Sequence, residues 1–106
     1  MGQRMETVRA KIGATFLDVA QPGWAERINL RRLDLNSCES CVLGQLFGDF
    51  ANGAEKVFAM RGSARFAAAR ECGLDGAHDG PTDQYTALTA AWKREIAKRL
   101  RAAGGK

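Results

Sequence analysis

Cys38 and Cys41 stand three positions apart in Cys38-Glu-Ser-Cys41, a spacing at which two thiols can share a metal ion or exchange a disulfide. A closed zinc site needs two further ligands, and Cys72 and His78 are the only other Cys or His residues in the chain. Together Cys38, Cys41, Cys72 and His78 could complete a Cys3His tetrahedron, although their spacing is irregular for structural zinc. The alternative is packing alone. Cys41 then serves as a small apolar side chain beside Gly44 and Gly48, Cys38 sits in the first turn of a helix, and His78 is a solvated loop residue. A thioredoxin-type redox role normally follows a strand in a βαβ unit, and no such strand is legible.

Catalytic groups are otherwise scarce. The single histidine lies among glycines and aspartates, and no nucleophile elbow, phosphate-cradling turn or dinucleotide fingerprint is present. Binding is therefore expected in place of catalysis, and three surfaces are candidates, the Asp75 to Pro81 loop among them. Residues 84–106 hold Lys93, Arg94, Lys98, Arg99, Arg101 and Lys106 against Glu95 alone, so the net charge of +4 belongs to one terminal segment. Arg94, Lys98 and Arg101 fall opposite the Trp92 side of a helix and form a basic face for phosphates or an acidic protein surface. That face could equally be a solvated exterior that complements the helix dipole. It lacks aromatic interleaving, and no helix-turn-helix spacing accompanies it. The remaining candidate is Trp24, which follows Pro22-Gly23 and either plugs the core or anchors a partner.

The elements that must position these residues are helical. Met5, Val8, Ile12, Phe16 and Val19 advance by three or four, which gathers them on one stripe of a first helix. Pro22-Gly23 breaks the period, and Trp24 to Ile28 fit one short turn. Leu30, Leu33 and Leu35 follow in a connector that drops leucines into the core. Asn36 and Ser37 are good N-caps for a central helix from Cys38 to Phe50 carrying Val42, Leu43, Leu46 and Phe47. On that helix Cys41, Gly44 and Gly48 form a stripe of small side chains, which implies close approach of another element.

Asn52-Gly53 reads as a turn before a short helix over Ala54 to Met60. Ser63 caps a helix through the alanines to Cys72, with Gly73 in the left-handed C′ position. The segment from Asp75 to Pro81 reads as an exposed loop. Thr82 caps the last helix, whose stripe of Tyr85, Leu88, Trp92, Ile96 and Leu100 is the cleanest in the chain and ends near Gly104.

These elements predict an all-α fold, a single compact bundle of four to five helices over residues 1–106 with an ordered core of about 5–103. Apolar content of 45% and charged content of 26% are those of a globular chain. No apolar run approaches the roughly 18 residues that span a bilayer, and the N-terminus lacks the apolar stretch of a signal peptide, so a cytoplasmic location is expected.

The pattern Phe16-Leu-Asp18, Pro22-Gly-Trp24, Leu33-Asp-Leu35, Cys38-x-x-Cys41-Val-Leu-Gly-Gln-Leu-Phe-Gly48, Gly73-Leu-Asp75 and Tyr85…Leu88…Trp92 resembles a family of small uncharacterised proteins encoded by actinobacterial phages and their hosts. The likeness covers about residues 16–96 and leaves out the basic tail. It implies a phage or prophage origin, a bacterial host and a helical fold, and it carries no activity with it. The expectation is a small non-enzymatic protein that binds a host or phage protein, through the Trp24 loop, through the Asp75 to Pro81 loop or through Arg94, Lys98 and Arg101. Nucleic-acid binding by the basic C-terminal helix and a structural zinc module are the alternatives.

Overall fold

The computed structural model describes residues 5–75 and 84–104 of the chain. Its centre is set by the strongest stripe in the sequence. Leu88, Trp92 and Ile96 recur every four residues, and in the helix Gln84–Gly104 all three are buried, as a 3.6-residue period requires of a helix with one apolar face. Tyr85 and Leu100 extend the stripe and are half-buried. In chain order the helices are α1 (Met5–Ala20), α2 (Val42–Phe47), α3 (Phe50–Phe58), α4 (Ser63–Glu71) and α5 (Gln84–Gly104), with one 3-10 turn at Trp24–Arg27. All regular structure among the described residues is helical, so the fold is all-α. Thr82, His78 and most of the expected 75–81 loop lie outside the described residues.

α1 packs most extensively on α5, but with a face the apolar stripe did not foretell. Its buried residues are Ala10, Gly13, Ala14 and Leu17, whereas Met5, Ile12 and Val19 are 58%, 51% and 82% exposed. The reason is distance of approach. A Cβ on Gly13 would run into the carbonyl oxygen of Cys72 and come within 2.8 Å of Cζ2 of Trp92. Small side chains let α1 sit against the end of α4 and the Trp92 ring, where the bulkier stripe could not fit.

That end of α4 is a complete Schellman motif: Leu74 N–H donates to the Ala69 carbonyl at 2.8 Å and Gly73 N–H to the Arg70 carbonyl at 3.1 Å. Gly73 takes φ +69°, the left-handed conformation expected of it. Its carbonyl accepts a 2.7 Å hydrogen bond from Nε1 of Trp92, which ties α4 to α5.

The expected helix from Cys38 to Phe50 is two shorter ones. Residues 38–40 form turns, in which Ser37 Oγ accepts from the backbone N–H groups of Glu39 and Ser40, so Ser37 caps a turn upstream of the helix. Cys41 is the true N-cap of α2, its Sγ accepting from Gly44 N–H at 3.2 Å. α2 stops at Gly48, whose φ of +101° is open to glycine and strained for other residues. Asp49 then caps α3 through Asn52 N–H at 2.8 Å. Asn52-Gly53 is therefore the first turn of α3 and not a chain reversal, because Asp49 satisfies the Asn52 amide and Gly53 is buried against Leu43 and Phe47. Ser63 is the first residue of α4, behind Gly62 as its cap.

Between the Trp24 turn and α2 the connector behaves as its leucines imply. Leu33 and Leu35 are buried with Ile28, and Leu30 is half-buried against the core, while Arg31, Arg32, Asp34 and Asn36 face outward.

Candidate functional site

The three cysteines occupy different environments. Cys38 is exposed and Cys72 half-buried, while Cys41 is buried beneath the turn that precedes α2. Burial pushes the Cys41 thiol up from its ordinary range, and burial followed by the nearby Glu71 carboxylate does the same to Cys72. Among the described residues no three Cys, His, Asp or Glu side chains gather as a metal site would require, so Cys38, Cys41 and Cys72 do not converge. His78 lies outside the described residues. Cys41 acts as a helix cap: its Sγ receives the Gly44 N–H and lies 3.8 Å from the Cys38 carbonyl, to which it donates.

Trp24 resolves toward the core. It is 1% exposed, its ring meets that of Trp92 edge-on at 5.6 Å, and it presents no anchor to a partner. The preceding Gly23, at φ +83°, turns the chain so that the indole swings under α1. The indole N–H donates to Oδ1 of Asp18 at 2.9 Å. Asp18 in turn takes a bidentate pair from Arg99, at 2.8 and 2.9 Å, and Arg99 reaches the buried Glu95 carboxylate at 3.0 Å. The Arg99 hydrogen bond dominates the Asp18 environment and holds its carboxyl below the usual carboxylate range. This network closes α1, α5 and the Trp24 turn onto one another. It also removes Arg99 from the basic surface.

The basic face of α5 is present but reduced. Arg94, Lys98 and Arg101 are exposed, as their positions opposite Trp92 imply. Lys98 pairs with Glu95 at 3.3 Å, and Arg94 donates to the Thr7 hydroxyl at 3.3 Å.

A second surface escaped the pattern of the sequence altogether. With Ala10, Gly13, Ala14 and Leu17 turned inward, Met5, Ile12 and Val19 of the bulky stripe are left exposed on α1, while Val8 and Phe16 between them are half-buried, Phe16 against the core. Phe16 stacks on Phe58 at 5.3 Å, which continues the apolar strip onto the end of α3 toward Met60, itself 43% exposed. Isolated exposed apolar residues are ordinary, whereas a contiguous strip marks an interaction surface. One signal could have revealed it: Ala10, Gly13, Ala14 and Leu17 follow i, i+3, i+4, i+7, a small-residue helix face competing with the bulky one.

Comparison of the chain with protein-family models, curated proteins and solved structures finds no match. No helix among the described residues is long and apolar enough to cross a membrane.

Proposed function

We propose that this chain is a non-enzymatic binding protein that docks an acidic amphipathic helix of a host or phage protein on the uncovered face of α1. The observation that carries the reading is the exposure of Met5, Ile12 and Val19 along one line of a well-packed helix. From Met5 to Val19 the stripe runs about 21 Å at about 1.5 Å per residue, the length of a four-turn partner helix. Its margins favour acidic partners. At about 100° per residue Arg9 and Lys11 lie about 60° and about 100° to either side of Ile12, while Glu6 and Asp18 lie further round, at about 120°. Asp18 is moreover occupied by Arg99 and Trp24. A second copy of the chain fits less well, because an antiparallel pair centred on Ile12 sets Lys11 against its own equivalent. The phage or prophage setting, and with it a bacterial cytoplasm, is supported by the resemblance of residues 16–96.

The test is affinity capture from host lysate with the wild-type chain and with Ile12→Asp/Val19→Asp, both shown to be equally helical by circular dichroism. The captured protein is then purified and titrated. An acidic helical partner should bind the wild-type chain and lose at least about tenfold in Kd with the variant. Equal capture and equal affinity for both chains overturn the reading. Self-association of the wild-type chain, abolished by the variant, assigns the face to a second copy.

A second reading, nucleic-acid binding through Arg94, Lys98 and Arg101, is supported by their shared exposure on α5. It requires retention on DNA or RNA that weakens steeply with salt, and loses its basis if there is none at low ionic strength.

A further inference from the structure

Arg31 and Arg32 are adjacent in the connector and more than fifty positions from Lys93 in sequence, yet the fold brings the three to one place. Burial of Leu33 and Leu35 turns the arginines outward, and Leu35 N–H donates to Thr89 Oγ1 at 3.0 Å, which fastens the connector to α5. The other side of the connector is held by Gln45, whose side chain both accepts from Asn29 N–H at 2.7 Å and donates to the Asn29 carbonyl at 3.2 Å. Between connector and helix lies an open cleft of about 690 Å³, within the range that small-molecule sites occupy.

The lining of the cleft is asymmetric in charge. Among the described lining residues, Arg31, Arg32 and Lys93 stand with one carboxylate, Asp34, which already accepts from Asn36 N–H at 3.0 Å. Among the described residues no carboxylate pairs with any of the three cations. Four other described cations do have carboxylate partners: Lys98 pairs with Glu95, Arg99 with Glu95 and Asp18, and Arg61 and Arg65 with Glu55. Thr86 adds a hydroxyl from α5. Ala90 and the half-buried Tyr85 ring add less polar surface to the lining. A bare phosphate would leave most of this volume empty.

The geometry points to the cleft between the connector and α5 as a binding site for a nucleotide, its phosphate held by Arg31, Arg32 and Lys93 and its base set against Tyr85. Arginine's planar fork suits bidentate contact with phosphate oxygens, and Lys93 supplies a mobile point charge from the facing helix. The nucleotide is either a free one or one residue of a single strand, since both offer the same phosphate and base. No α1 residue lines the cleft, so this inference is independent of helix docking.

The test uses the full chain with ADP, inorganic pyrophosphate, labelled oligothymidylate and polyglutamate as separate titrants, and with Arg32→Gln/Lys93→Gln compared against Arg94→Gln/Arg101→Gln. All four positions are exposed, so the folds should be retained, and circular dichroism checks this. Binding of ADP alone assigns a free ligand, and stronger binding of the oligonucleotide assigns a strand. In either case the cleft variant should weaken binding at least about tenfold and the outer-face variant little. For a strand held by three cations, affinity should fall about twentyfold between about 50 and about 200 mM salt. Ile12→Asp/Val19→Asp should bind nucleotide as the wild-type chain does. The inference is overturned if neither ADP nor oligonucleotide binds at low salt, if the cleft variant binds undiminished, or if polyglutamate or pyrophosphate binds as well as ADP.

Discussion

Replacing Gly13 by alanine and, separately, Ile12 by alanine sets the two readings of α1 against each other. Helix propensity alone makes Gly13→Ala stabilising by about 1 kcal/mol, since a mid-helix glycine is replaced by the best helix former. The structure reverses the sign. The new Cβ meets the Cys72 carbonyl oxygen and stands 2.8 Å from the Trp92 ring, both fixed in the core. Overpacking of this kind costs about 1 to 3 kcal/mol. Moving the α4 turn away also weakens the buried bond from Trp92 Nε1 to the Gly73 carbonyl, at about 1 to 3 kcal/mol. Less the propensity gain, the net loss is about 1 to 5 kcal/mol, centred near 3 kcal/mol.

Ile12→Ala behaves in the opposite way. A buried isoleucine would cost about 2 to 5 kcal/mol, but Ile12 is 51% exposed and leaves no enclosed cavity, so the cost is below about 1 kcal/mol. Urea denaturation followed by fluorescence of the buried Trp24 and Trp92 reads both changes. With a slope of about 1.2 kcal/mol per molar, Gly13→Ala should lower the midpoint by about 1 to 4 M, centred near 2.5 M, and Ile12→Ala by less than about 1 M. A stabilised Gly13→Ala chain, or an Ile12→Ala chain that loses the larger amount, refutes the small-residue interface and returns the bulky stripe to the core.

Two further outcomes follow from the buried polar groups. Asp18→Asn should cost about 1 kcal/mol, a figure held low because the Asp18 side chain is 44% exposed and the pair with Arg99 is partly screened. Because Arg99 depresses the Asp18 pKa in the fold, its contribution is full above the ordinary aspartate range and disappears as pH falls through the lowered value. The stability gap between wild type and Asp18→Asn should therefore close in acid, and a gap that is constant with pH contradicts the ionic account. In native alkylation at neutral pH, the exposed Cys38 should react first, and Cys41 and Cys72, whose raised pKa values reduce the thiolate fraction, only slowly until urea is added. Mass spectrometry counts the adducts, and rapid triple labelling of the folded chain contradicts the burial of Cys41.

What the sequence disclosed, it disclosed where side-chain size and burial agree. Leu88, Trp92 and Ile96 are bulky and inward, so α5 was legible, and Gly73 announced its own left-handed turn. α1 was legible as a helix but misread in its rotation, because a rule that ranks residues by hydrophobicity gives no weight to Gly13 or Ala10. The helix break fell at Gly48-Asp49 and not at Asn52-Gly53 because a glycine stop followed by an aspartate cap is a complete local signal, whereas the Asn52 amide was already claimed by Asp49. Pairings such as Asp18 with Arg99, and the gathering of Arg31, Arg32 and Lys93, join distant positions with no local period and were invisible for that reason.

The charge of the chain changes meaning once these pairings are known. In sequence the positive charge belongs to the C-terminal segment, and its outer face seemed the natural place for an anion. In the fold Arg99 is spent on holding α1 and the Trp24 turn, and Lys98 leans on the same Glu95 carboxylate. The cations of α5 that keep no carboxylate partner among the described residues are Lys93, Arg94 and Arg101, and only Lys93 faces other cations across a concave surface. A flat row of charges beside water is screened within about 8 to 10 Å, whereas charges converging on a cleft reinforce one another at a ligand. Subtracting the cations that hold the fold together therefore leaves Lys93, midway along α5 beside the connector, as the α5 cation that shares a concave surface with other cations.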